Sequence, residues 1–311
     1  MYDVIVIGAG PAGLQAGLTL GRMHRRTLVL DSGEYRNEPA GEMHNFLTRD
    51  GTPPAELRAA ARAELDTYAD VELRAAVVTH VTPADSGYEV RTADGTMHPA
   101  KRIILATGVR DELPDVPGLA ELFGTVVAHC PFCHGHEFAG GTVVVQGSDH
   151  ADRMAAMLAP IAGEVVVVGD GFSPDPVAVE RAGATLRDAK ITALSREGDG
   201  VAVELSDGST LVADGFFVRS SYVPSAPFAA DLDLTVLGTG CIEVDAFGRT
   251  SRPGIYAAGD GAHTAAAPGP MAAVLVAAAS GLLAAAACVQ DEVAEVATSS
   301  SPPPPTSRAQ R

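Results

Sequence analysis

Tyr2-Asp3-Val4-Ile5-Val6-Ile7-Gly8-Ala9-Gly10-Pro11-Ala12-Gly13 is the stretch that decides the fold. Its first six residues, rich in Val and Ile, read as a strand that runs without a spacer into a G-x-G-x-x-G turn. Beyond the turn Leu14, Leu18 and Met23 recur at helical spacing, and a second strand, Thr27–Leu30, ends in Asp31. The pattern is a β-turn-α-β unit. Its first glycine makes the tight turn, its second lets a pyrophosphate approach the backbone, and its third lets helix and strand pack closely. The helix N-terminus offers unpaired N–H groups and positive dipole to phosphates. Asp31 stands where an acidic side chain bonds ribose hydroxyls. The unit predicts a bound dinucleotide.

Working outward, Pro53 to Asp70 reads as an alanine-rich amphipathic helix, and Val71–Val81, Gly87–Thr92 and Ile103–Ala106 read as strands. A second strand–helix–strand segment follows at Thr142–Val145, Asp152–Ala162 and Glu164–Val168. Ala189–Ser195, Val201–Leu205 and Gly215–Val218 are further strands, and residues 254–260 form a strand entering a glycine turn. Met271 to Val289 is almost entirely apolar, and a membrane span needs about 20 such residues. Alanine dominates it, Ser280 and Gly281 interrupt it, and no aromatic or Lys/Arg anchors flank it. A helix packed inside an α/β domain is the expectation, and no membrane partner.

The chain has 311 residues, 46% apolar and 20% charged, which is a globular composition. Its formal charge of −17 excludes nucleic acid and anionic membrane surfaces as partners, because phosphates would be repelled. Four cysteines are too few for a disulfide scaffold. No cationic segment precedes an apolar run at the N-terminus, so the expected location is the cytoplasm. Cys241 and Cys288 stand alone and read as small buried hydrophobes.

The other two cysteines lie in Cys130-Pro131-Phe132-Cys133-His134-Gly135-His136-Glu137. Two cysteines separated by two residues can close a disulfide over one helical turn. Pro131 suits the first helical position, which puts Cys130 at a helix N-terminus. The dipole and nearby histidines would favour its thiolate and speed exchange. Cys130 to His134 also matches the c-type haem attachment pattern. That chemistry belongs outside the cytoplasm, and this chain shows no export signal. A zinc site needs four ligands in a tetrahedron, and here they would crowd into one turn. No metal is expected. Histidines beside the pair favour redox work over a purely structural disulfide.

Gly8–Gly13, Ala106-Thr107-Gly108 after a strand, and Gly259-Asp260 late in the chain resemble the three FAD motifs of the two-dinucleotide-binding-domain flavoprotein reductases. The resemblance spans nearly everything but the tail. It implies an α/β fold of two Rossmann-like three-layer domains, the FAD-binding one discontinuous over 1–114 and 241–294. Residues 115–240 would be an NAD(P)H-type domain carrying the dithiol. Residues 295–311, rich in Ser, Pro and Thr, would form a disordered tail. FAD is the implied cofactor, held by Gly8, Gly10, Pro11, Ala12, Gly13, Asp31, Ala106, Thr107, Gly108, Gly259, Asp260, Met271 and Ala272. In that family the late Asp, here Asp260, contacts the ribityl-phosphate region. The helix after Pro268–Ala272 would aim its N-terminus at the flavin ring. The family also implies a homodimer.

The run from Cys130 to Glu137 resembles the dithiol oxidases that close disulfides in gliotoxin and holomycin biosynthesis. Low-molecular-weight thioredoxin reductases carry C-x-x-C-D, and His134 takes the place of that acid. By this resemblance Cys133 is the flavin-proximal thiol and Cys130 exchanges with substrate, with His134 or His129 as base. His136 reads as a solvated neighbour. A reductase would also need a second dinucleotide site, expected at Gln146-Gly147-Ser148-Asp149-His150-Ala151. Asp149 falls at or beside the position where pyrophosphate should approach, and no Lys or Arg occurs from Met154 through Glu180. The expected activity is therefore oxidation of a small natural-product dithiol, electrons passing through FAD to oxygen with hydrogen peroxide formed. A disulfide reductase fed by NADPH or ferredoxin, and a flavin redox sensor that does not turn over, remain alternatives.

Overall fold

The computed structural model describes residues 1–299, with side chains to 297. β1 (Tyr2–Ile7), α1 (Pro11–Arg22) and β2 (Thr27–Asp31) form the expected opening unit. β1 lies parallel to β2, with Val4 opposite Thr27 and Ile7 opposite Leu30. Its side chains alternate between two cores, Val4 and Val6 facing one and Ile5 and Ile7 the other. A strand covered on both faces reads as an unbroken apolar run, which is how this one was legible. α2 (Pro54–Leu65) ends five residues before the predicted Asp70, where the Thr67 hydroxyl donates to the Glu64 carbonyl at 2.7 Å.

The predicted strand Val71–Val81 is two strands, β3 (Val71–Ala75) and β4 (Val78–Ala84). Ala76 donates to Asp31 while Val77 accepts from Ala93, so the chain changes partners between them. β5 (Gly87–Thr92) matches its prediction, and β6 (Met97–Leu105) begins six residues before its own. The sheet order is β3-β2-β1-β6-β5-β4.

The middle of the chain holds β7 (Val109–Glu112), α3 (Leu119–Leu122), β8 (Val127–Ala128), α4 (Pro131–His134), β9 (Thr142–Gln146) and α5 (Ala151–Leu158). β10 (Glu164–Val168), α6 (Pro176–Arg181) and β11 (Thr185–Arg187) follow. A parallel sheet has the order β11-β10-β9-β15-β8, where β15 is Gly215–Phe217. β12 (Ile191–Glu197), β13 (Gly200–Leu205) and β14 (Thr210–Ala213) form an antiparallel sheet beside it. On β9 the alternation of β1 recurs: Val144 faces the core shared with β13, and Val143 and Val145 face the core shared with α5. β16 (Ser221–Pro224) pairs with β7.

The chain then adds α7 (Phe228–Asp231), β17 (Ile242–Glu243), β18 (Ile255–Ala257), β19 (Ala262–His263) and α8 (Val274–Ser299). β18 joins the first sheet parallel to β6, Ile255 opposite Ile103. By length and composition α8 could cross a membrane. One stripe of it, Ala277, Gly281, Ala284, Ala285 and Cys288, is buried, and Gly281 abuts α1 so closely that an added Cβ would lie 2.0 Å from the Ala12 oxygen. α8 carries helix five residues into the stretch expected to be a disordered tail, through Ser299. The remainder of that stretch, 300–311, lies outside the described residues.

Two compact units emerge. The first comprises Met1–Gly33, Ala60–Gly108 and the chain from Pro224; the second comprises Glu34–Ala59 and Val109–Val223. These divisions differ from the expected 114/115 and 240/241. The segment Glu34–Ala59 belongs with the second unit because side chains tie it there, Arg36 to Asp111 and His44 to Glu137 among them.

Candidate active site

Pro131 opens the single turn of α4, and Cys130 is its N-cap, with extended backbone. The N–H groups of Cys133 and His134 both donate to the Cys130 carbonyl at 3.2 Å. That turn brings the two thiols together, and the Cys133 thiol hydrogen-bonds Cys130. This bond, above all, holds the Cys130 thiol down to about 7; burial opposes it, and the N–H groups of Cys133 and Phe132 and the charge of Arg36 assist. The assisting cation is thus an arginine, where the sequence suggested histidines. Asp111 fixes it with a two-pronged contact, Nε to Oδ2 at 2.9 Å and the terminal nitrogen to Oδ1 at 2.6 Å.

The histidines divide. Burial pushes the His134 pKa below its ordinary value, with Glu137 opposing and His44 reinforcing, so the imidazole is neutral at neutral pH. Its Nδ1 is buried and meets no hydrogen-bond partner among the described residues. The His129 ring stacks on Phe123, centroids 5.6 Å apart and planes at 17°. His136 is exposed, and so is Phe132 between the cysteines, at 70%. Arg36 and His44 carried no sequence signal, since both lie in a loop without periodicity, far upstream of the dithiol.

In the first unit the glycine turn forms a cradle. Gly8 has φ +103° and lies so near Ala106 that an added Cβ would sit 2.3 Å from its oxygen. A Cβ on Gly13 would lie 1.8 Å from the Gly8 oxygen, whereas Gly10 has open space within 4 Å. The open side of Gly10, with Pro11 beginning α1, is the surface a pyrophosphate would meet. Asp31 accepts from the Ala9 N–H at 3.3 Å and pairs with Arg62. Thr107 and Gly108 follow β6; Gly108 lies 3.1 Å from the place of a Cβ on Gly261. Gly259 comes against Ala12 and donates to Ser280 Oγ at 2.8 Å. The Asp260 carbonyl accepts from the Cys241 thiol at 3.5 Å. Most predicted cofactor residues therefore converge, and the cradle fits a dinucleotide. Met271, exposed, and Ala272 precede α8, whose first turn starts at Val274.

The second unit treats its glycine differently. Gly147 donates to Val168 at 2.7 Å, and an added Cβ would sit 2.0 Å from the Gly169 oxygen, so this glycine serves strand packing. Beyond it a cavity of about 300 Å³ is lined by Ser148, Asp149, Asp152, Phe172, Ser173 and Asp175. Three of its lining side chains are carboxylates, and the Arg219 guanidinium lies 4.7 Å from the centroid of the Phe172 ring.

A family model described as pyridine nucleotide-disulphide oxidoreductase matches residues 2–281. The chain is 34% identical over 286 residues to thioredoxin reductase aclD of Aspergillus oryzae, covering 84% of this chain and 88% of that one. The crystal structure of HlmI superposes with a TM-score of 0.87 at 34% identity, over 96% of this chain and 94% of that one. A putative thioredoxin reductase TrxB from Bacillus anthracis superposes with a TM-score of 0.87 at 29% identity, over 95% and 100%.

Proposed function

The chain belongs to the pyridine nucleotide-disulphide oxidoreductase family, and from that premise we propose that it runs in the oxidative direction, closing a disulfide in a small dithiol. As a thioredoxin-reductase-like oxidoreductase it depends on FAD, and Gly8–Gly13, Ala106–Gly108 and Gly259–Asp260 are the residues that would hold the coenzyme. A substrate thiolate attacks Cys130 Sγ of the Cys130–Cys133 disulfide, and the sulfur–sulfur bond breaks with Cys133 leaving as thiolate. The second substrate thiol then attacks the substrate sulfur bound to Cys130, closing the product ring and releasing Cys130. A thiol whose pKa lies near 7 leaves readily at that step. His134, neutral and half-buried, is the base that accepts a proton from the substrate thiol. When bound, FAD draws the electron pair from the cysteine dithiol and delivers it to oxygen, giving hydrogen peroxide.

The observation that carries the direction is the acidic cavity of the second unit. Asp149, Asp152 and Asp175 would disfavour the phosphates of a nicotinamide coenzyme there, which supports the oxidative direction. The exposed apolar face of α8, with Leu275, Val276, Leu282 and Leu283, supports a homodimer. The deciding experiment is aerobic turnover of a reduced cyclic-disulfide natural product, with peroxide and NADPH consumption followed in parallel. Peroxide should appear in step with substrate and NADPH should persist. Prompt bleaching of the yellow protein by NADPH under nitrogen would establish a reductase instead.

A further inference from the structure

Asp31 ends the buried strand β2 with its side chain only 5% exposed. A carboxylate so far from water needs partners, and the first unit supplies two. The Ala9 N–H, inside the glycine turn, donates to its Oδ1 at 3.3 Å. A terminal nitrogen of Arg62, on α2, donates to its Oδ2. One connected chain therefore runs from the helix to the backbone between Gly8 and Gly10. The helix is a fixed base for this arm. Leu65, three residues on and 2% exposed, packs against α1, where a Cβ on Gly17 would lie 2.6 Å from its Cδ2. Ala61 packs against the same core. Arg62 itself is 32% exposed, so its guanidinium lies at the border between core and solvent. Arg58, one turn earlier on the same helix, pairs instead with Glu38.

We propose that Arg62 is the positioning residue for Asp31, holding the carboxylate in the orientation that receives the ribose hydroxyls of a bound FAD. The proposal rests on the reading of Asp31 as the ribose acceptor. It goes further in assigning selection for the adenosine end of the coenzyme to a side chain 31 positions along the chain. A guanidinium is a planar fork, and its grip on a carboxylate fixes the plane of the group as well as its place. An ammonium, a point charge, fixes only the place. In this role Arg62 acts through Asp31 and not on the coenzyme itself.

The test uses the full-length chain, freed of flavin and reloaded with either FAD or an FAD analogue built on 2′,3′-dideoxyadenosine, which lacks both ribose hydroxyls. Dissociation constants are read from the change in flavin absorbance on binding. Wild type should favour FAD over the analogue. R62Q should weaken FAD about tenfold, the scale of one charge-assisted hydrogen bond, while binding the analogue as wild type does. R62K keeps the charge without the fork and should fall between, and it carries the test if R62Q does not fold. A merely structural role for Arg62 would weaken both flavins alike. That result, or unchanged FAD binding in both variants, would overturn the proposal. D31N separates the two readings. If wild type and D31N each hold FAD and the analogue equally well, Asp31 does not receive the ribose and both readings fall. If the preference for FAD is present in wild type, lost in D31N and intact in R62Q, only the role of Arg62 falls. These binding constants involve no turnover, so the oxidative direction stands or falls separately.

Discussion

Cys130 draws its reactivity from neighbours that differ in how far the sequence revealed them. The C-x-x-C spacing and Pro131 were enough to foresee a one-turn helix with Cys130 at its cap. The cation was not foreseeable, because Arg36 reaches the site through tertiary packing and is fixed by Asp111. With a pKa of about 7, Cys130 is about half thiolate at neutral pH. Alkylation of the reduced protein by iodoacetamide should therefore show a midpoint near 7. R36Q removes a charge that lowers this pKa, so its midpoint should rise and its alkylation near neutral pH should slow. The two variants should converge in alkaline solution, where both thiols are ionised. Cys288 provides an internal control: burial pushes it up to about 12, and it should stay unlabelled while the protein is folded. C133S should keep FAD and lose turnover; turnover that survived it would refute the exchange sequence.

At the scale of elements, α8 was legible as a core-packed helix because alanine dominates it, Ser280 and Gly281 interrupt it, and no aromatic or Lys/Arg anchors flank it. Its length was not, since the polar end Asp291–Glu295 resembles a loop until its partners are known. Those partners are arginines: Arg249 for Asp291, Arg25 for Glu292 and Arg102 for Glu295. Asp291 accepts two bonds from Arg249, each 2.8 Å, and one from the Tyr256 hydroxyl at 2.7 Å, which hold its carboxyl below the ordinary range. A depressed folded-state pKa contributes stability that is present at neutral pH and lost as pH falls through the carboxylate range. D291N should thus cost about 1–2 kcal/mol at pH 7, and thermal melts should show its deficit narrowing in acid. Gly281→Val tests the stripe itself: its side chain collides with Ala12 and should cost about 2–3 kcal/mol by denaturant unfolding. The shortest elements, such as β8, β11 and α6, escaped the sequence because a few residues hold no measurable period.

For the whole molecule, the sequence carries a proposal about the coenzyme of the second unit, whereas the compact units are bounded differently from the expected domains. Asp149 and the missing cations predicted a disabled coenzyme site, and the acidic cavity agrees with that reading. Calorimetric titration should detect no NADPH binding, and replacing Asp149 with Gly together with Asp175 with Arg should create it. Glu34–Ala59 could not be assigned from sequence, because salt links made by single side chains attach it to the second unit. The first unit, meanwhile, is assembled from the two extremes of the chain. Ala12 of the glycine cradle rests against Gly281, and Gly259 is tied to Ser280. A ribosome making this protein delivers the coenzyme fingerprint long before its buttress. Nascent chains arrested before residue 274 should emerge colourless, with the flavin captured only once α8 is released.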